Sequence, residues 1–479
     1  MEDRAAIWAY AAPTVGSWFY YIPMWSILPA FYAKYGGLPL ATVATCLLLI
    51  RLFDGFTDTT IGYLADWHRS HGGTRKPWTA IGGLGSIVIC FFLFNPPHPA
   101  TSTYYLTWSF AYFLAYTISE IPHLAWASEL TADYQKRSAV YAVRTVTTRI
   151  GILSFYALPL LPLFGTADYA PKVMHDAVYF GGVMTLMGVA VALAKAPAGA
   201  PANLLRSDSL RLLFGSLIHN KPLLLYFGAF ACGGVYCGMW YGLLYLYLDN
   251  YLALASKVPL ILFVATLAAA LSTPVWLKLI RYTGKATSWA LCAALFLLQL
   301  IGTLFVAPKT SWWVMLLLVT IANMSFSCND VAGLSLLGDI VDYGKLRFNK
   351  DRGAFYFAVN ILVFKVTLGL GSAASLAIAA SFGYSATSAA NSTAAIDGLK
   401  LGFIIVPACF AAVALLMMRK APIDRRKHSI IQRRLEVKLA RASRAVETGR
   451  ITGTSDIQRV LINDAQLSRN VEPLNGGFL

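Results

Sequence analysis

Residues 51–66 read RLFDGFTDTTIGYLAD, and they set the charged side chains Arg51, Asp54 and Asp58 into a run that is otherwise apolar enough to cross a bilayer and that ends at Asp66. A charge at the middle of a membrane costs about 2.5–3.5 kcal/mol on insertion scales, and such residues usually mark a route for ions or substrates. On a helix, Arg51, Asp54 and Asp58 occupy positions i, i+3 and i+7, so they share one face. Two carboxylates one turn apart, with a guanidinium a turn earlier, can hold a monovalent cation or a proton. The pattern predicts a membrane protein that moves an ion or a solute.

The composition agrees with a polytopic membrane protein. The 479 residues are 57% hydrophobic and 13% charged, with a mean hydropathy of +0.59, whereas soluble domains are about 25% charged. Crossing a bilayer takes about 20 apolar residues. Twelve such runs are predicted, at about 8–33, 39–65, 79–97, 102–128, 141–164, 173–195, 222–248, 257–280, 286–307, 311–337, 354–382 and 397–418.

Basic residues alternate between the loops. They cluster after the second, fourth, eighth and tenth predicted spans and in the central connection, and they are sparse in the loops between. The positive-inside rule then places both termini in the cytoplasm. The net charge of +16 is explained by this topology, and no nucleic-acid partner is expected. We predict a multi-pass protein of the cytoplasmic (inner) membrane that works as a monomer.

The chain divides into two halves. Residues 196–221 combine proline and glycine with a polar stretch and predict a cytoplasmic linker between two six-helix bundles, 1–195 and 222–418. Paired bundles with a site at their interface are typical of transporters.

A basic tail, residues 419–479, follows the last span. Arginines and lysines alternate with Ile431 and Leu435 at helical spacing, which predicts an amphipathic helix on the anionic inner leaflet. A solvated tail helix is the alternative. Disorder is expected from Thr452 onward.

Several motifs occur in an order that resembles a known family. They are the Asp54–Asp58 span with GYLAD at 62–66, GTRKPW at 73–78, EIP at 120–122, ELTAD at 129–133 and DYG at 342–344. The set resembles the glycoside–pentoside–hexuronide:cation symporters of the major facilitator superfamily, in a melibiose-carrier-like form. The resemblance implies an all-α membrane protein whose twelve transmembrane helices form two six-helix bundles, with cation-coupled transport by alternating access.

The resemblance also implies a cation site. Asp54 and Asp58 match the family's cation carboxylates, and Thr117 on the fourth span matches a hydroxyl ligand. Thr57 stands where the melibiose carrier has an asparagine linked to cation choice. Na⁺ and H⁺ both remain open as the coupling ion, because repulsion between neighbouring carboxylates lets one of them take a proton. No other metal and no cofactor is expected.

Coupling is assigned to Lys365 and Arg51. Lys365 lies mid-span in the eleventh predicted helix, and the resemblance implies that it faces the two aspartates and alternates with the cation. The alternative is that Asp54 and Asp58 form an internal salt bridge with Arg51 or Lys365 that only fixes helix packing.

The solute-binding side departs from the family pattern. Glu120 and Arg144 align with charged residues of the family's sugar cavity, but the first span has Trp18 and no carboxylate. Arg149, five residues beyond Arg144, is interpreted as structural. Alternatives are that Glu120 caps a helix, that Asp330 pairs with Arg144 or another helix, and that the aromatic residues face lipid. The candidate solute-binding residues are Glu120, Arg144, Asp330, Asn329, Trp18, Tyr21 and Trp126.

Charged residues near the predicted cytoplasmic ends suggest a gate. Asp66 and Arg75 resemble the superfamily's acid–base latch, and residues beneath the fourth and tenth spans are candidate partners across the two halves. Exposed pairs of this kind are individually weak, so they would tune a conformational equilibrium. The candidate gate residues are Asp66, Arg75, Glu129, Arg137, Asp339 and Asp342.

We therefore predict a symporter, driven by Na⁺ or H⁺, for a sugar, a glycoside or a related small polar solute, and not an enzyme. One alternative keeps the fold but carries a lysolipid or another lipid-like solute, since Trp18 replaces an acid. The other is a membrane-embedded enzyme acting on a lipid-linked sugar, which would need catalytic groups near a membrane surface.

Overall fold

Seventeen α-helices follow one another in the part of the chain that the structure, a computed structural model, describes. That part comprises residues 2–131, 134–165, 167–199, 210–348, 350, 352–388, 390–420 and 425–447, and the disorder predicted from Thr452 onward lies outside it. The helices are α1 (Glu2–Ala11), α2 (Pro13–Ser26), α3 (Leu28–Lys34), α4 (Leu40–Ser70), α5 (Lys76–Leu93), α6 (Ser102–Glu129), α7 (Tyr134–Ala157), α8 (Pro171–Lys195), α9 (Leu210–Ile218), α10 (Lys221–Leu246), α11 (Val258–Thr283), α12 (Lys285–Leu304), α13 (Trp312–Phe348), α14 (Gly353–Ser381), α15 (Thr393–Lys400), α16 (Val406–Arg419) and α17 (Arg425–Glu447).

Nine helical segments of the described chain are long and apolar enough to cross a membrane, by length and composition. They are α4, α5, α8, α10 with its extension to Tyr251, α11 with the turn before it, α12, α13, α14 and the α15–α16 segment. The other three predicted runs fall on α1–α3, α6 and α7. The first of these is divided into short helices. The all-helical membrane class is confirmed, and the count of twelve spans stays a prediction.

The first predicted span is interrupted because of its prolines. Pro13 begins α2, and Ile27, at φ −124° and ψ −48°, leaves helical geometry between α2 and α3. A proline inside a helix removes one backbone hydrogen bond and clashes with the preceding turn, and Pro23 lies one turn before this break. The break leaves the end of α2, with Trp25, facing the middle of α4.

The helices pack in two groups. In the first, α2 packs on α7 and α8, while α6 packs on α4 and α5; in the second, α10 packs on α14 and α16, while α13 packs on α11 and α12. Between the groups, α4 contacts α14, α7 contacts α11 and α2 contacts α10. The predicted domain boundaries stay a prediction.

Glycines on α10 allow α14 to approach it closely. Gly234, Gly238 and Gly242 recur every four residues and face α14. A Cβ atom at Gly238 would overlap the main-chain carbonyl of Leu368. Small residues at such spacing let helix backbones approach within a membrane. This contact sets the position of α14, which carries Lys365.

At the end of the molecule where α3 finishes, an ion pair joins the two groups. Lys34 Nζ lies 2.6 Å from Asp249 Oδ2, in the π-helical turn Tyr247–Tyr251 that continues α10. Beside it, Asn250 accepts a hydrogen bond from the Tyr384 hydroxyl at 2.7 Å. The ion pair therefore ties the groups together at this end, and the Asn250–Tyr384 hydrogen bond lies within the second group.

Candidate cation and solute site

Two helices bring the predicted cation ligands together. Asp54 and Asp58 lie one turn apart on α4, and Thr117 projects from α6 toward both. The Thr117 hydroxyl lies 2.9 Å from Asp58 Oδ1 and 3.5 Å from Asp54 Oδ1. Carboxylate and hydroxyl oxygens are the ligands that hard cations prefer, so this donor set fits a small monovalent cation or a shared proton. No cluster of three or more His, Cys, Asp or Glu residues that could hold a metal occurs within the described ranges.

Lys365 reaches this cluster from the second group of helices. Its Nζ lies 2.5 Å from Asp58 Oδ2 and 3.7 Å from Asp54 Oδ2. Only 18% of the Lys365 side chain and 15% of the Asp58 side chain are exposed. The ammonium group thus stands where a bound cation would meet the carboxylates, and it ties α14 to α4.

Arg51 supplies the second positive charge. Its Nη1 lies 3.2 Å from Asp54 Oδ2, and the centre of its guanidinium group lies 3.3 Å from the Trp25 ring centroid and 4.3 Å from that of Phe113. The Arg51 Nε and Nη2 atoms are buried without a hydrogen-bond partner, so the aromatic faces carry much of the stabilisation. Across the interface lies Gly369 of α14, where any side chain would overlap the Arg51 stem. With Lys365, the cluster holds two acids and two bases.

Thr57 is buried next to the cluster but is oriented differently from Thr117. Its hydroxyl donates to the main-chain oxygen of Asp54 at 3.1 Å. The hydroxyl proton is therefore used within the helix, and only the lone pairs of the oxygen remain for a cation.

Glu120 continues the face of α6 that carries Thr117, one turn further along. It forms an ion pair with Arg144 of α7, and both side chains are nearly buried. Glu120 lies well inside α6 and is paired, so the alternative that it caps a helix is wrong.

Asp330 pairs with Arg149, which the sequence suggested was merely structural. Arg149 Nη2 lies 3.2 Å from Asp330 Oδ2, joining α7 of the first group to α13 of the second. The Asp330 side chain is 60% exposed and that of Arg149 29% exposed. Asp330 lies at the middle of the 37-residue α13, and its partner belongs to the other group. The pair therefore bridges the two groups at mid-helix and remains accessible.

Of the remaining candidates for the solute site, Trp18 and Tyr21 are half-buried, whereas Trp126 and Asn329 are held by hydrogen bonds within their own groups of helices. Trp18 and Tyr21 are half-buried on one face of α2 with ring centroids 5.0 Å apart, and Tyr21 stacks on Tyr116 at 4.4 Å. Trp126 is completely buried and donates its indole N–H to the carbonyl of Pro197. Asn329 accepts a hydrogen bond from Trp289 of α12 at 2.6 Å. In this conformation, Trp126 and Asn329 make contacts inside their own groups and face away from the Asp330 side chain.

The candidate gate residues of the first half form one network. Arg75 lies 2.6 Å from Asp66 Oδ1 and 3.0 Å from Glu129 Oε1. Arg69, which the sequence analysis did not single out, lies 2.9 Å from Glu129 Oε2 and also donates to the carbonyl of Gly199. The network joins the end of α4, the start of α5, the end of α6 and the chain after α8.

The candidate gate residues of the second half, Asp339 and Asp342, bind other residues of that half and of the tail helix. Asp339 lies 2.5 Å from Lys285 and 3.3 Å from His428 of α17, and Asp342 accepts a hydrogen bond from Gln432 of α17 at 2.7 Å. The Arg137 side chain lies outside the described part of the chain. The predicted partnership of these acids across the two halves stays a prediction, because in this conformation they bind Lys285 and α17.

A family model described as MFS/sugar transport protein matches residues 9–425. This chain belongs to that family. The MFS/sugar transport protein family consists of transporters, so the prediction that the chain is not an enzyme is confirmed, and the membrane-enzyme alternative is rejected.

Two curated relatives place the chain more closely within the MFS/sugar transport protein family. It is 24% identical over 427 residues to the putative glycoside/cation symporter YagG of Escherichia coli (strain K12), covering 85% of this chain and 90% of that protein. It is 21% identical over 444 residues to a lactose permease of Lactobacillus helveticus, covering 88% of this chain and 68% of that protein. The resemblance to melibiose-carrier-like symporters is confirmed.

A solved structure of another transporter has the same fold as this chain. The crystal structure of the nucleoside transporter NupG superimposes with a TM-score of 0.60 at 11% identity, covering 88% of this chain and 99% of that one. At this identity the likeness shows the fold alone, which is that of the major facilitator superfamily. The chain is thus a multi-pass membrane transporter of small molecules with this fold.

Proposed function

We propose that this protein is a cation-coupled symporter that carries a sugar, a glycoside or a related small polar solute by alternating access. The proposal includes twelve transmembrane helices in two six-helix bundles, both termini in the cytoplasm and residence in the cytoplasmic membrane. The contact between Lys365 Nζ and Asp58 Oδ2, at 2.5 Å between the two groups of helices, carries the proposal.

The charges of the cluster supply a coupling mechanism. With two acids and two bases, the cluster is neutral when no coupling ion is bound. A Na⁺ ion or a proton at Asp54 and Asp58 brings one excess positive charge into a poorly solvated site, where an unbalanced charge is costly. Lys365 is the base that comes from the opposite group, so its displacement relieves the excess and releases α14 from α4.

A polar solute fits the remaining site better than a lipid does. The partly exposed Arg149–Asp330 pair bridges the groups at mid-depth, and an acyl chain lying against it would leave both charges unsolvated. Glu120 and Arg144 would orient the solute from the first half. Trp18 and Tyr21 would provide its aromatic wall, because buried aromatic faces stack well on sugar rings.

The tail helix α17 supports contact with an anionic leaflet. His428 and Gln432 face α13, whereas Arg433, Ile430 and Val437 are exposed. Basic and apolar side chains on one helix face suit an interface with anionic phospholipids.

The test is uptake by proteoliposomes containing the purified protein, over a panel of radiolabelled sugars and glycosides. A sodium gradient alone and a proton gradient alone are applied in turn. We expect one of the gradients to drive accumulation, and Asp58→Asn to abolish it, because the variant lacks a cation carboxylate and leaves Lys365 without its closest acid.

The matched control is Asp397→Asn, which removes an exposed acid on α15, far along the chain from the cluster. It should accumulate solute at the wild-type level. Melting temperatures of both variants show whether each remains folded. Full gradient-driven accumulation by Asp58→Asn would overturn the assigned role of the cluster.

A further inference from the structure

Besides the Lys34–Asp249 pair at one end of the molecule, two ion pairs join the two groups of helices at mid-helix, and their charges are reversed relative to each other. At the cation cluster, the first group supplies the acid Asp58 and the second group supplies the base Lys365. Between α7 and α13, the first group supplies the base Arg149 and the second group supplies the acid Asp330. Both second-group residues lie well inside their helices, so the two contacts connect the groups within the predicted membrane-spanning region.

The two contacts differ in strength and accessibility. The Arg149–Asp330 distance is 3.2 Å and the Asp330 side chain is 60% exposed, whereas the Lys365–Asp58 distance is 2.5 Å and both side chains are nearly buried. A partly exposed ion pair contributes only about 0–1 kcal/mol. The hydrogen bonds of a ligand can therefore replace it.

We propose that solute binding separates Arg149 from Asp330, just as cation binding separates Lys365 from Asp58. This inference rests on the proposed function and assigns its solute side to a pair that includes Arg149. Each ligand then removes one of the two mid-helix contacts between the groups. Rearrangement is fast only when both of these mid-helix contacts are released, and this requirement couples the solute to the cation.

The pair also specifies the chemical class of the solute. To replace the contact without leaving either charge unpaired, a ligand has to donate to Asp330 and accept from Arg149 within a few ångströms. Neighbouring hydroxyls of a polyol or a sugar ring do both. A simple amine or a simple carboxylate satisfies only one member, and an unpaired buried charge costs affinity.

The test uses Asp330→Asn and Arg149→Gln in proteoliposomes. Each variant removes one of the two contacts permanently. We therefore expect movement of the coupling cation in the absence of solute to rise several-fold above wild type, with a lower ratio of solute to cation transported. The apparent KM for solute should rise about tenfold or more, because one hydrogen-bonding partner is lost.

Two further variants separate coupling from structure. Exchanging the charges, Arg149→Asp with Asp330→Arg, rebuilds the contact, so the solute-independent cation movement should fall back toward wild type. Asp330→Glu keeps the charge and should stay coupled. Asp397→Asn again serves as the control for loss of an acid elsewhere, and it should leave both readouts unchanged.

The outcomes distinguish this inference from the proposed function. If the wild type accumulates no solute under either gradient, the proposed function fails. If the wild type is coupled, but Asp330→Asn and Arg149→Gln keep its solute KM and its low solute-independent cation movement, the inference is overturned and the pair is only structural.

Discussion

At Arg51, aromatic rings stabilise a buried positive charge that has one described hydrogen bond. We predict that Trp25→Leu lowers the melting temperature of the purified protein in detergent. A desolvated cation–π contact contributes about 2 kcal/mol, and the indole also packs against Phe113. The same substitution at Trp313, whose side chain is 61% exposed, is the matched control and should change the melting temperature little. Equal effects of the two substitutions would show that Arg51 does not depend on Trp25.

The sequence predicts which residues share a helix face, but it does not predict which neighbouring helix that face contacts. Asp54 and Asp58 are recognisable because helical periodicity sets them on one face. Arg144 and Arg149 are five residues apart, which is about 140° around a helix, so they face different neighbours. Only the tertiary position of α7, which packs on α11 of the second group, shows that Arg149 meets Asp330. The side chain of Trp126 could not be placed either, since the chain segments that bury it lie far away in sequence.

At the scale of the helix, Gly238 faces the α10–α14 crossing, whereas Gly233 of the same helix has room for a side chain. We predict that Gly238→Ala destabilises the protein by about 1–3 kcal/mol, the usual cost of overpacking, because the added Cβ meets the main chain of Leu368. Gly233→Ala is the control. A Cβ there meets only the ring of Tyr236, at 3.9 Å or more, and alanine favours the helix. Thermal unfolding in detergent compares them, and an equal loss in both would contradict this account of the crossing.

Some helix boundaries follow from nearby residues in the sequence, whereas the docking of a helix depends on residues far away in the sequence. The prolines in the first predicted span explain the separation of α2 from α3, and they can be recognised in the sequence. The helical spacing of basic and apolar residues in the tail agrees with α17, but Ile431 is buried in the hydrophobic core and Leu435 packs against it, so these two residues do not form a face for the leaflet. That α17 docks on Asp342 through Gln432 depends on the tertiary position of α13, which no local pattern contains.

In the whole molecule, the Lys34–Asp249 pair ties the two groups together at one end. We predict that Asp249→Asn weakens this tie by about 1–3 kcal/mol, less than for a fully buried pair, because Lys34 reaches solvent. The groups should then separate more often at this end. Spin labels at Thr101→Cys and Ser256→Cys, with the exposed Cys409 replaced by serine, should report longer distances.

The control for that experiment is Asp176→Asn, which removes an acid from α8 in the same double-labelled background. It should leave the distance distribution unchanged. An unchanged distribution in Asp249→Asn as well would mean that the packing of α3 against α10 holds this end without the ion pair.

The two mid-helix ion pairs between the groups also have an electrical consequence. In the first group, the mid-helix bases Arg51, Arg144 and Arg149 balance the acids Asp54, Asp58 and Glu120, and in the second group Lys365 balances Asp330. Each half is therefore neutral in this mid-helix set when it holds no ligand. Membrane voltage would then do no work on these eight groups as the empty protein returns. It would act on the loaded set through the cation, by about 2.3 kcal/mol per charge for each 100 mV, so through this set the resting potential of a cell would drive uptake without hindering the return of the empty carrier.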